Sequence, residues 1–310
     1  MKCTVVIFAA LLNVMVTTPA VHSEPAGPSV VVTIKPVHAL VHEVMRGVGE
    51  PFLLVKGSSS PHTYALTPSD AIALNHAKVF IRVSPAIEPF AQKVVDALPR
   101  DVEVVTLMEA PGLKLLASRR GPTFGHDIHP VGAYDAATID GHAWFDPTNA
   151  QAMVEHIARV LSRADPAHAA VFRSNADALK GRLDDLATEL DGLLKPVADR
   201  PFVLFHDALQ YYEHRFRLNL VGAISISPDI PPSGKRLLEL RQRIKAKGVV
   251  CVFAEPQFSS GLISAVVEGT GARIGTLDPE AINIAPAPDL YFTLMRTLAA
   301  DLTRCLSTPV

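Results

Sequence analysis

The chain has 310 residues, of which 48% are hydrophobic, 19% are charged and only 6% are aromatic. This length and composition fit a globular protein of two domains and exclude a chain that is disordered along its length. Its 29 Lys and Arg stand against 31 Asp and Glu, for a formal net charge of −2. The sequence therefore lacks the basic charge that binding to nucleic acid or an anionic membrane requires.

The first 23 residues have the layout of a secretory signal peptide. Lys2 precedes an apolar run from Val5 to Val16, and Pro19 with several small residues follows it. The run is shorter than the about 20 residues that a membrane-spanning helix needs. We therefore expect residues 1–23 to be cleaved, taking Cys3 with them, and the mature chain to be exported.

Four runs rich in β-branched residues follow the predicted signal peptide, beginning at Val30, Phe52, Lys78 and Val102. Helical patterns lie between these runs and begin near His38, Pro68 and Glu88. Strands that alternate with helices are typical of a mostly parallel sheet with helices on both faces. We therefore predict an N-terminal α/β lobe over residues 29–164.

The centre of the chain predicts one long helix over residues 165–196, because the pattern is helical and no proline lies between Pro166 and Lys195. Its apolar stripe consists of Leu179, Leu183, Leu186, Leu190 and Leu193. A helix of about 30 residues is about 45 Å long, enough to run along both lobes as a rigid backbone. A coiled coil is the alternative, but the repeat is too short for several heptads.

A second set of alternating elements follows the central helix. The predicted strands begin at Phe202, Leu218, Val249 and Ala272, and the predicted helices cover residues 207–216, 233–247, 259–269 and 289–306. We therefore predict a C-terminal α/β lobe over residues 197–310. It has the same plan as the first lobe, although no sequence repeat is strong enough to indicate duplication.

Two cysteines remain in the predicted mature chain, Cys251 and Cys305. An even number of cysteines in an exported protein favours a disulfide, because the compartment is oxidising. Two buried free thiols are the alternative that the residues leave open.

Three of the twelve histidines lie just past a predicted strand, beside a turn or a helix start. They are His62 in SSSPHTY, His142 in DGHAWFDP and His206 in VLFHDALQYYE. Ligands of open α/β sheets bind at the carboxyl ends of the strands, so these imidazoles can converge on one site. The chain has no CxxC pair and no HExxH, which excludes the common structural-zinc and metalloprotease motifs. Surface or capping histidines are the alternative.

Four blocks, PHTYALTPSD, GHAWFDP, VLFHDALQYYE and VFAEPQF, occur in this order around the central helix. They resemble the ZnuA-like proteins, the zinc receptors of ABC-type importers, over nearly the whole mature chain. The resemblance implies two α/β lobes joined by a rigid helix, with metal bound in the cleft by His62, His142 and His206. It also implies a disulfide between Cys251 and Cys305, and as partners a membrane permease and a cytoplasmic ATPase.

Three neutral imidazoles suit Zn²⁺, whose tetrahedral site then needs one more donor. The resemblance implies a carboxylate or a water in that position. Some relatives carry a glutamate before the first histidine, but this chain has Pro61 there. Asp278 in GTLDPEA matches an acidic position that binds metal in other members, and capping of a turn beside Pro279 is its alternative role.

The segment GPTFGHDIHPVGAYDAATID resembles a shortened form of the His- and Asp-rich loop of many zinc receptors. Its His126, Asp127, His129 and Asp135 are predicted to capture zinc weakly and pass it inward. A plain surface loop is the alternative.

Three further polar residues are expected near the predicted cleft. Glu255 and Gln257 lie there by analogy with the family, although we do not expect them to bind the metal. Asp207 is expected either to cap its helix or to orient the imidazole of His206.

Together these features predict a monomeric periplasmic receptor that binds Zn²⁺ for ABC-type uptake and is not an enzyme. A receptor of the same family for Mn²⁺ or Fe²⁺ is one alternative. A zinc hydrolase or lyase is another, since three histidines and a water also form catalytic sites. Such an enzyme needs a general base near the metal-bound water, and no motif supplies one. An adhesin is a third class, which nothing in the sequence favours.

Overall fold

The computed structural model describes residues 27–119, 138–225, 232–258 and 260–307. The predicted signal peptide and the loop residues His126, Asp127, His129 and Asp135 lie outside the described residues. Across the described ranges, no helix is both long and apolar enough to span a membrane.

The first half of the chain forms a four-stranded sheet in which all pairs are parallel. Its strands are β1 (Val30–Val32), β2 (Phe52–Leu53), β3 (Val79–Arg82) and β4 (Glu103–Thr106), in the order β2-β1-β3-β4. Its helices are α1 (Lys35–Met45), α2 (Pro68–Asn75), α3 (Pro89–Ala97) and α4 (Pro147–Ala164). We call this sheet and these helices lobe one. Helix α1 begins three residues before the predicted start, and α4 is an addition to the predicted elements.

The second half repeats this arrangement. Strands β5 (Phe202–His206), β6 (Leu220–Ser225), β7 (Cys251–Ala254) and β8 (Arg273–Thr276) form a parallel sheet in the order β6-β5-β7-β8. Its helices are α6 (Gln210–Phe216), α7 (Gly234–Lys247), α8 (Ser260–Val267) and α9 (Leu290–Ser307). We call this part lobe two. All eight predicted strands are present, and both sheets place their first strand between the second and the third.

Helix α5 (Ala169–Leu194) joins the lobes, with short helical turns at Pro166–His168 and Lys195–Val197. It packs against α1, α4 and α9. Its leucine stripe is buried as predicted up to Leu190, but Leu193 is 45% exposed and Leu194 is buried in its place. On a straight helix a heptad repeat drifts by about 20° per heptad, so the last contact with the core moves to the next residue.

The two lobes share one hydrophobic core, which runs from β1 and α1 through α4 and α5 to β5 and α9. Two buried tyrosines also connect the lobes. The hydroxyl of Tyr211 donates to the carbonyl of Asp140 at 2.9 Å, and that of Tyr291 donates to the carbonyl of Trp144 at 2.7 Å. Both hydrogen bonds cross from lobe two to the segment that ends lobe one, so the cleft between the sheets is built by both lobes.

A disulfide joins Cys251 of β7 to Cys305 of α9, with their Cα atoms 6.3 Å apart. The predicted disulfide is therefore confirmed. It attaches the last helix of the chain to the sheet of lobe two, whereas lobe one contains no cysteine.

Candidate metal centre

His62 lies in the loop between β2 and α2, and it is the most exposed of the three predicted histidines. Thr67 and Asp70 form a capping box that starts α2, and the Tyr64 hydroxyl donates to the Asp70 carboxylate at 2.7 Å. These bonds fix the loop to the first turn of α2. The backbone of Ala86, in the loop after β3, raises the pKa of the His62 imidazole and so opposes the larger effect of burial.

His142 precedes the short helical turn Ala143–Phe145 that leads into α4. Both its backbone N–H, at 3.0 Å, and its Nδ1, at 2.7 Å, are hydrogen-bonded to the Asp140 carboxylate. Since a carboxylate accepts, Nδ1 carries the proton and Nε2 keeps its lone pair for a metal. Asp140 is fixed in turn through its carbonyl, which is bonded to Tyr211.

His206 is the last residue of β5 and is only 2% exposed. Its Nδ1 lies 2.6 Å from the carboxylate of Glu255, which follows β7, and its backbone N–H donates to the same oxygen at 3.2 Å. Its Nε2 is buried and has no hydrogen-bond partner among the described residues. A buried nitrogen that keeps its lone pair unused is suited to binding a metal.

The three histidines come together at the carboxyl ends of the two sheets. Their potential ligand atoms all lie within 4.8 Å of one another. The ring centroid of His62 lies 5.8 Å from that of His142 and 6.0 Å from that of His206. The ring centroids of His142 and His206 are 5.7 Å apart. Apolar side chains surround them, including Ile87 and Trp144. Three imidazoles that converge in this way form a donor set that suits Zn²⁺.

Glu280, which the sequence analysis did not select, lines the same cavity. One of its carboxylate oxygens accepts from the Ser60 hydroxyl at 3.1 Å, and the other is buried without a partner among the described residues. Asp278 is placed differently. Its two oxygens accept from the backbone N–H groups of Ile282 and Asn283, each at 2.8 Å. Nothing in GTLDPEA distinguishes the two acids, because both lie in one turn after β8.

Burial shifts the pKa values of the ionisable side chains around the cavity. Burial and the two neighbouring histidines lower the pKa of His62 well below its ordinary value. Burial alone would also lower the pKa of His206, but the Glu255 carboxylate outweighs it and the net pKa is raised. Burial raises the pKa of Glu280 to about 7. A metal must therefore displace protons from this site in order to bind.

Asp207 takes neither of its two expected roles, because α6 begins without a side-chain cap and another carboxylate orients the His206 ring. Its carboxylate pairs with Arg119 at 3.1 Å, and Arg119 also pairs with Glu213. Burial raises the pKa of Asp207 to about 6 and that of Glu213 to about 7, although Arg119 opposes both shifts. The carboxylate that orients His206 is Glu255, and Gln257 donates to that same carboxylate at 2.8 Å.

Comparison with known proteins agrees with this geometry. The family described as ZnuA, zinc-uptake complex component A periplasmic, matches residues 30–305. A high-affinity zinc uptake system protein ZnuA from Brucella suis biovar 1 is 42% identical over 305 residues, covering 90% of this chain and 91% of the relative.

Two solved structures share the fold. A mutant of the laminin-binding adhesin Lmb from Streptococcus agalactiae is 26% identical, with a TM-score of 0.74 over 90% of this chain and all of that one. A crystal structure of ZnuA is 23% identical, with a TM-score of 0.73 over 89% of this chain and 98% of that one.

Two α/β lobes, a joining helix and three histidines that converge between the lobes are the features of a metal-binding solute receptor. The chain belongs to the ZnuA family of periplasmic zinc-uptake components. This is a family of solute-binding receptors and not a catalytic family.

Proposed function

We propose that this protein is a periplasmic high-affinity receptor for Zn²⁺, which it delivers to an ABC-type permease driven by a cytoplasmic ATPase. The observation that carries the proposal is the convergence of three imidazoles within 4.8 Å. Family membership supports zinc as the substrate and uptake as the process.

The proposed ligands are His62, His142, His206 and Glu280. For His142 and His206, the support is that a carboxylate outside the cavity orients each ring, and for His62 it is that its ring lies within 6.0 Å of both. Glu280 is supported by its buried, unpartnered oxygen at the cavity. Asp278 stays a prediction, and the hydrogen bonds on both its oxygens favour a role in closing the turn.

Zinc is proposed over manganese because nitrogen donors dominate the ligand set. Imidazole suits Zn²⁺, whereas Mn²⁺ is better matched by several carboxylates or carbonyls, and Zn²⁺ also binds more tightly at most sites. The same argument disfavours a receptor for Fe²⁺.

The proposed role is binding without catalysis. Asp140 and Glu255 are each already bonded to a histidine, and Glu280 is proposed to bind the metal itself, so none of the three is free to act as a general base for a metal-bound water. A zinc hydrolase is tested by incubating the zinc-loaded protein with ester, peptide and phosphoester substrates, and the receptor proposal expects no turnover above that of free zinc.

Several further predictions complete the proposal. The chain is exported and loses residues 1–23, acts as a monomer, and has the lobe limits 29–164 and 197–310 with the linking helix at 165–196. His126, Asp127 and His129 serve as a weak capture loop. These proposals rest on the sequence and on the family resemblance.

The ligand set is tested by competitive titration of the metal-free protein with Zn²⁺ and Mn²⁺. We expect Zn²⁺ to bind more tightly, and Glu280→Gln to weaken Zn²⁺ more than the matched change Asp278→Asn does. A larger loss from Asp278→Asn would make Asp278 the fourth ligand. The uptake function is tested by deleting the gene, which should impair growth in zinc-limited medium and be rescued by added zinc.

A further inference from the structure

Lys35, the first residue of α1, reaches from lobe one into lobe two. Its side-chain ammonium donates to the carbonyl of Ala281 at 2.7 Å and to that of Ile282 at 3.2 Å, and it lies 3.5 Å from that of Ile284. Lys35 is only 6% exposed. A lysine ammonium has three N–H donors and no acceptor, so three carbonyls of one turn can satisfy this buried charge.

The segment that Lys35 contacts, residues 278–284, is here called the acidic turn. Ala281 has a φ of 55° and is fully buried. A residue with a Cβ atom is strained in this left-handed region and stays there only when its surroundings hold it. The Asp278 carboxylate holds the turn from inside through two backbone N–H groups, and Lys35 holds it from the opposite lobe.

Glu280 directly precedes the strained residue of the acidic turn. Its carboxylate therefore depends on the path of this backbone for its place beside the three histidines. Lys35 and Glu280 line the same cavity, yet the hydrogen bonds of Lys35 go to backbone carbonyls of the turn. This pattern indicates that Lys35 fixes the turn and does not simply neutralise its acids.

We propose that Lys35 is a positioning residue for metal binding, which holds the acidic turn of lobe two against lobe one so that Glu280 faces the three histidines. The proposal rests on the proposed role of Glu280 as the fourth ligand. It also gives the lobes a polar connection at the metal site, in addition to the tyrosine hydrogen bonds to Asp140 and Trp144.

The direction in which zinc affinity changes when Lys35 is replaced tests the proposal. A lysine close to a bound divalent cation repels it, so loss of the charge alone would tighten zinc binding. Loss of the positioning contact has the opposite effect, because the fourth ligand is released. Removal of a group that orients a metal ligand typically weakens metal binding by about 10–100-fold.

The experiment compares Lys35→Met, Glu280→Gln and the double variant with the wild-type chain. Zinc affinity is measured by competition with a chromophoric chelator, and Co²⁺ in place of Zn²⁺ reports the coordination through its visible absorption. We expect Lys35→Met to weaken zinc by about 10–100-fold and to change the Co²⁺ spectrum towards that of Glu280→Gln. The double variant should bind zinc no more weakly than Glu280→Gln alone, since both changes remove the same ligand.

Lys56→Met is the matched control, because it removes the same charge from lobe one. Lys56 is exposed and lies over the ring of Phe52, 4.0 Å from its centroid. We expect its zinc affinity to stay within about twofold of wild type, since exposed charges are strongly screened. Circular dichroism checks folding, and Lys35→Gln replaces Lys35→Met if that variant does not fold.

The possible results distinguish the proposed role of Glu280 as the fourth ligand from the proposed positioning role of Lys35. If Glu280→Gln binds zinc as tightly as wild type, Glu280 is not the fourth ligand and the role of Lys35 falls with it. If Glu280→Gln binds weakly but a folded Lys35→Met or Lys35→Gln binds as tightly as wild type or more tightly, only the positioning role is overturned. Additive losses in the double variant would also overturn it.

Discussion

The two lobes have the same strand order, yet a buried glutamate serves a different purpose in each. In lobe one, Glu88 accepts from the Thr33 hydroxyl at 2.5 Å and from two backbone N–H groups, and it thereby ties the ends of β1 and β3 together. In lobe two, Glu255 follows β7 and holds His206 at the end of β5. The shared topology thus places a carboxylate beside the end of the first strand in each lobe. The residue at that strand end, Thr33 in lobe one and His206 in lobe two, decides whether the carboxylate is structural or orients a histidine of the metal site.

The lobes also differ in how firmly they hold their histidines. His206 ends a central strand and is 2% exposed, whereas His62 lies in a loop and is partly exposed. Lobe two is further held by its disulfide. We therefore expect lobe two to present a constrained histidine and the His62 loop of lobe one to present the histidine that adjusts.

The largest expected effect comes from removing the disulfide. Its 54-residue separation corresponds to about 4 kcal/mol of stability in the chain-entropy model. Cys251→Ala with Cys305→Ala should lower the free energy of unfolding of the metal-free protein by about this amount, measured by urea denaturation. Hydrogen exchange should rise most in β7 and α9. An equal rise in β1 and β3 would show that the disulfide stabilises both lobes alike.

The next largest effects are expected on zinc affinity when His206 or His62 is replaced. His206→Ala should weaken zinc by more than about 100-fold, because the loss of a ligand exceeds the loss of a group that orients one. His62→Ala should cost about tenfold less, since water can occupy a vacated position at the more exposed side of the site. Competitive titration of folded variants measures both. Equal losses would contradict the proposed difference between the lobes.

The two buried glutamates give a matched pair. Glu255→Gln should weaken zinc by about 10–100-fold and alter stability little, because one amide oxygen can still accept from both N–H groups of His206. Glu88→Gln places an amide N–H₂ where a carboxylate accepts backbone N–H groups, which should cost about 1–3 kcal/mol of stability and leave zinc affinity nearly unchanged. Zinc titration and urea denaturation measure the zinc affinity and the free energy of unfolding of both variants. The comparison between the lobes fails if Glu88→Gln is the variant that loses zinc.

The smallest expected effect concerns Glu280 in the metal-free protein. Burial raises its pKa from 4.5 to about 7, so between these values the folded chain binds more protons than the unfolded chain does. Stability from this group is therefore present below about pH 4.5 and is lost as the pH rises through 7. Glu280→Gln should then stabilise the metal-free protein at pH 8, by on the order of 1–3 kcal/mol, and bring little gain at pH 4.5. Thermal unfolding at both pH values checks this, and a gain of equal size at both would contradict it.

The local features of the fold could be predicted from the amino-acid sequence. The β-branched runs that form β1 to β8, the long helix α5 and the three histidines next to strand or helix ends could all be identified along the chain. Periodicity and the chemistry of single residues are local properties, so one sequence is enough to read them. Helix α4 was missed, although Asp146 caps it through the backbone N–H of Thr148 at 2.8 Å and Pro147 begins it.

Tertiary structure alone decided which polar groups meet. Asp207 is adjacent to His206 in sequence, but the pairing of β5 with β7 brings Glu255 to the imidazole instead. Asp278 and Glu280 belong to one turn, and only the backbone of that turn directs Glu280 into the cavity while Asp278 accepts from the backbone. Hydrogen bonds act over about 3 Å, so residues far apart in sequence become partners only where the packing of the two lobes has placed them.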